Sequence, residues 1–199
     1  MPLNMPEPPG RMREETRAKL GRVAGMRGMG LPALGAAAPE DVEVSTPHQV
    51  FTMGLDDVEA GGGLERARPG GWRFLLESGG EVIASAETAE TPEGARPPSF
   101  NEGPYVGATA TAVKAARALP QLATAGFELR LLRIPALYLM ALWLHAPNTD
   151  LLIPLAPSPI GSEGKVVPPP VFFRELADHA RDRGASGPGQ GAGQPRPNR

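Results

Sequence analysis

LLRIPALYLMALWLHA, Leu131 to Ala146, is the stretch whose reading decides the fold. From Ile134 onward only Pro135 and His145 interrupt its apolar residues, in a chain otherwise rich in polar, Gly and Pro positions. A membrane anchor, a buried element and a surface that waits for a partner would all be written this way. A spanning helix needs about 20 predominantly apolar residues, and Arg133, His145 and Pro147 confine this run to little more than half of that. No membrane association is therefore expected. Large apolar groups stand at both parities, with Leu137, Leu139 and Trp143 on one side and Tyr138, Met140, Leu142 and Leu144 on the other. A strand so written wants both faces covered. It continues from FELRLLRI, where Phe127, Leu129 and Leu131 alternate with Glu128 and Arg130, and strand is the preferred reading. A buried helix fits the same run, because Leu, Met and Ala are strong helix formers and periodicity does not separate the two in so short a segment.

The flanking punctuation supplies the neighbours. APNTD makes a turn, and LLIPLAP is a further strand whose Pro154 suits an edge. PVFFRELADHARDRG reads as a helix with Pro170 in its first turn, Phe172, Phe173, Leu176 and Ala180 facing inward, and Gly184 at its end. Upstream, HQVFTMGL is a strand, and GWRFLLESGGEVIASAE is a pair of strands around Ser78, Gly79 and Gly80. YVGATATAVKAARALPQLATAG is a helix of small residues with Lys114 and Arg117 outward, kinked or split at Pro120. The order predicts an α+β fold, a mainly antiparallel sheet with helices packed on one face.

At 199 residues the chain has room for one domain of common size plus tails. Gly and Pro number 25 and 24 but are unevenly spread. Residues 184–199 carry no large apolar side chain and read as a disordered tail. Residues 1–40 read as a flexible Pro/Gly-rich arm with one short amphipathic helix, its stripe made by Met12, Leu20 and Val23. Residues 41–183 remain as the single α+β domain.

Lys plus Arg number 20 against 22 Asp plus Glu, a net charge of −2, so no global field recruits nucleic acid or an anionic membrane. All but three of the basic residues are arginine, which beside so much Ala, Gly and Pro reads as coding bias. The absence of cysteine excludes disulfides, thiolate nucleophiles and sulfur-held metals. The amino-terminal stretch lacks the apolar core of a secretory signal, and a cytoplasmic location is expected.

Motifs for chemistry are sparse. No serine lies in a nucleophile elbow, and the Gly-rich stretches lack the strand before and the helix after that phosphate binding requires. His48, His145 and His179 are too scattered for a local metal motif, and Asp56, Asp57 and Glu59 read as helix-start acids rather than cation ligands. No metal and no cofactor are expected. In Trp72, Arg73 and Phe74 the alternation of a strand points Arg73 outward, and Arg130 with Arg133 makes a poor phosphate clamp for the same reason.

Two functions follow from the apolar strand. As a docking surface it makes the protein a non-catalytic interaction module, pairing with itself or another protein through Tyr138, Met140, Leu142 and Trp143. As a pocket wall between helix and sheet it makes a small-molecule-binding protein or minor enzyme, with Phe127, Tyr138, Trp143 and His145 around the ligand. A third reading, nucleic-acid binding through the arginines of the amino-terminal arm, predicts strongly salt-dependent affinity.

Overall fold

The structure, a computed structural model, describes residues 3–91, 94–123 and 125–185. The deciding stretch is strand. β6 (Glu128–Ile134) and β7 (Leu139–Ala146) run antiparallel, joined by a 3-10 turn at Pro135–Leu137 and by Tyr138 in the left-handed region at φ 51°. Pro135 stops β6 because it brings no N–H to the ladder. β7 then pairs with β8 (Thr149–Pro154), and Pro154 does end the last strand of the sheet. That outer edge is not bare, since Leu152 and Val167 exchange backbone hydrogen bonds of 2.9 Å.

The amino-terminal half is a second antiparallel set. β1 (Val42–Thr52), β2 (Arg68–Ser78) and β3 (Glu81–Thr91) lie side by side, and Gly79 and Gly80, at φ 59° and 82°, form the two-residue turn between the last two. β4 (Gly94–Ala95) and β5 (Ser99–Asn101) add short pairings to β3. The two sets join where β1 and β6 run parallel, Gln49 to Thr52 beside Arg130 to Arg133, giving the order β4, β3, β2, β1, β6, β7, β8. The sheet is therefore mixed, not purely antiparallel. The long parallel crossover holds α4 (Pro104–Arg117), whose Ala112, Val113 and Ala116 lie close on the sheet because they are small.

Helices also cover both faces, a correction to the single covered face expected. On one, Leu129, Leu131, Leu142, Leu144 and Ile153 pack under α4. On the other, Leu132, Ile134, Ala141, Trp143 and Leu152 pack against Phe172, Leu176 and Ala180 of α5 (Pro169–Ala185) and Val58 of α3 (Leu55–Glu59). The apolar run has large groups at both parities because both of its faces are buried. A single face could not have buried them without stranding about 1.5–3 kcal/mol of burial per large side chain.

Residues 3–40 are not a free arm. α1 (Met12–Val23) and α2 (Pro32–Ala36) set Met12, Leu20, Val23 and Leu34 against Val42, Val44, Trp72, Phe74 and Leu76. A short helix is marginal alone, and this burial is what stabilises α1. Asn4 also bridges to β6, its N–H donating to the Phe127 carbonyl at 2.7 Å. No packing boundary falls at residue 40. The expected tail lies outside the described residues from 186 onward, and α5 runs through Gly184 to Ala185.

Gly71 marks a place where the sheet tolerates no side chain. It pairs with Val50 and Ala89 at φ 151°, and a Cβ there would stand 2.0 Å from the Thr88 carbonyl oxygen. Gly71→Ala is expected to lower unfolding free energy by about 2–3 kcal/mol in urea titration. Unchanged stability would contradict this packing.

Candidate functional site

The chemistry of the molecule gathers on the α4 face, and of its charged residues only Arg133 belongs to the deciding stretch. His48, Arg73 and Glu87 stand in one cross-strand row of β1, β2 and β3. Arg73 is 2% exposed, a correction to the outward orientation expected of it. Its Nη1 donates to the Thr109 hydroxyl of α4 at 3.2 Å, and its Nε lies 3.5 Å from Glu87 Oε1 without a hydrogen bond of its own. Thr109 in turn donates to the Tyr105 carbonyl one helical turn back, at 2.6 Å. From β6, Arg133 reaches across two strands and donates through Nη2 to Glu87 Oε2 at 2.6 Å. One carboxylate is thus shared by two guanidinium groups.

Behind them His48 is fully buried. Its Nδ1 lies 2.8 Å from the Thr46 carbonyl, which can only accept, so Nδ1 carries the proton and Nε2 is left as an acceptor without a hydrogen-bond partner. Burial first, then the charge of Arg73, lowers its pKa from 6.5 to about 3 against the opposing pull of the Thr46 carbonyl. The ring is neutral at neutral pH. Burial likewise lowers the pKa of Arg73; Glu87 opposes that shift, and Arg133 adds to it.

Arg73, Glu87 and Arg133, but not His48, line a cavity of about 470 Å3 between the start of α4 and the sheet. Tyr105, Val106, Pro135, Leu139 and Met140 supply its apolar wall, and Glu102 and Gly103 also line it. Glu102 is occupied elsewhere, accepting from the backbone N–H groups of Ala33 at 3.2 Å and Leu34 at 2.8 Å. Tyr105 fixes the wall by donating its hydroxyl to the Tyr138 carbonyl at 2.6 Å and the Pro157 carbonyl at 3.1 Å. Burial, with the negative Glu163 nearby, raises the Tyr105 pKa.

Of the residues singled out from the sequence, Tyr138 and Met140 line this cavity, Tyr138 being 75% exposed with Arg183 5.6 Å from its ring centre. Leu142 is buried under α4 and Trp143 under α5, so neither offers a surface. Phe127 lies in the α4-side core. Trp143 stands edge-on to Phe51 at 5.0 Å and beneath Arg130 at 4.9 Å on the opposite face. His145 sits near the sheet end, Nδ1 2.8 Å from Asp150 Oδ1, the oxygen that also accepts from Trp143 Nε1 at 2.7 Å. Phe127, Tyr138, Trp143 and His145 therefore do not converge on one pocket.

Asp56 and Asp57 lie in the first turn of α3, and among the described residues no three His, Asp or Glu side chains stand together as a metal site would need. No helix among the described residues is long and apolar enough to cross a membrane. No protein-family model matches the chain, and neither the curated proteins nor the solved structures contain a match to it.

The depressed pKa of His48 ties stability to pH. The unfolded chain takes up a proton near pH 6.5 and the folded one only near 3, so the His48 contribution is complete above 6.5 and is lost as pH falls between those values. From pH 7 to pH 5 the chain is expected to lose about 2 kcal/mol more unfolding free energy than His48→Asn, whose amide can still donate to Thr46. Equal losses in chemical denaturation would contradict a buried neutral His48.

Proposed function

We propose that this is a small-molecule-binding protein whose ligand occupies the cavity between α4 and the sheet. The observation that carries the reading is an apolar wall beside a small set of paired polar groups, of which Arg73 is buried and Glu87 and Arg133 are partly buried. A volume of about 470 Å3 lies inside the range of roughly 300–1,000 Å3 usual for such sites. The site is built largely on rigid elements: β2, β3, β6 and β7 supply Arg73, Glu87, Arg133 and Met140, and α4 supplies Tyr105 and Val106. The docking-module reading draws less support, because Leu142 and Trp143 are covered within the chain and only Tyr138 among its four residues is exposed.

Nile red, an uncharged dye that brightens in apolar surroundings, tests the cavity. Blue-shifted, enhanced emission is expected with the natural chain and its loss in Met140→Trp, whose larger ring fills the space. No enhancement, or equal enhancement in a folded Met140→Trp chain, would remove the basis of the reading.

A further inference from the structure

We infer that the ligand of this cavity is a monocarboxylate with an apolar body, its carboxylate held by Arg73 and Arg133; this rests on the cavity being a binding site. The first ground is charge. Arg73 and Arg133 share the single carboxylate of Glu87, so this cluster on the cavity wall carries one positive charge in excess. Glu102, the other acid at the cavity, keeps its charge, but its two oxygens accept from the amino end of α2 and not from the guanidinium groups. His48 is neutral and adds nothing.

The second ground is unused hydrogen-bonding capacity. The Nε groups of Arg73 and Arg133 are both buried without a hydrogen bond, and Arg73 is 2% exposed. An N–H left this way costs stability that an incoming oxygen would restore. A guanidinium presents its donors in a planar fork that matches the two oxygens of a carboxylate. The amino end of the 14-residue helix α4, Gly103 and Pro104, opens on the same cavity and favours negative charge there.

The third ground decides between anions. One excess charge is neutralised by a monoanion, whereas a phosphate dianion would leave a negative charge in a partly dry site. An amine would meet two guanidinium groups. Val106, Leu139 and Met140 line the same cavity and suit an alkyl or aryl body.

The full-length chain is titrated by calorimetry with octanoate, octanol, octyl phosphate and octylamine, each below its micelle concentration, and each is also tested for displacement of Nile red. Octanoate is expected to bind about ten-fold tighter than octanol. That preference should fall to within about two-fold in Arg133→Gln, with dye uptake retained as the sign of an intact cavity. Arg133 is 26% exposed, which makes this the milder of the two arginine substitutions. Octanol binding as tightly as octanoate, with both displacing the dye, overturns the carboxylate assignment and leaves the cavity reading standing. Tighter binding of octyl phosphate or octylamine overturns it as well. Failure of all four ligands to displace a bound dye overturns it too, whereas absence of dye binding strikes the cavity reading itself.

Discussion

Four residue pairs, Gln49 to Thr52 beside Arg130 to Arg133, form the parallel seam through which two antiparallel sets of strands become one sheet. The Met53 N–H extends it by donating to the Arg133 carbonyl at 3.0 Å. Side chains seal the seam on both faces, Val50 and Leu131 under α4, Phe51 and Leu132 under α5. Everything the cavity needs is divided across this line. Arg73 and Glu87 come from one set of strands, Arg133 and Met140 from the other, and α4 is the connection between the sets.

The charged cluster that spans the seam is a poor investment in stability. Buried ion pairs recover their desolvation cost only with good geometry and full hydrogen bonding, and apolar replacements of similar volume are often as stable or more so. Here the Arg73–Glu87 contact is long at 3.5 Å, both Nε groups lack hydrogen bonds, and His48 holds an acceptor without a partner. The proposed function would give these groups a role as a binding surface beside the apolar cavity.

Much of the fold was legible from residue type and spacing. Large apolar groups at both parities from Leu137 to Leu144 required two covering layers, and α4 and α5 are those layers. Gly79 and Gly80 marked a hairpin, and the inward set of Phe172, Leu176 and Ala180 marked α5. The site was not legible, for two local reasons. Counting outward from the Gly79–Gly80 turn pairs Arg73 with Ala86, and only a register shift between Leu76 and Glu77 brings it opposite Glu87. A second irregularity between Ser45 and His48, where Thr46 has φ 46° and Pro47 follows, moves β1 to the other face and turns His48 toward Arg73. Pro47 also hid the first half of β1. The parallel seam leaves no local signal at all, because its partners lie some eighty positions apart and are joined through a helix.

The most direct measurement is amide and methyl shift mapping by NMR on the full chain as octanoate is added. Binding in the cavity predicts saturable changes concentrated at Gly103 to Val106, at Met140 and at the Arg73 and Arg133 side chains. Changes centred elsewhere, or none at concentrations that displace Nile red, would contradict it.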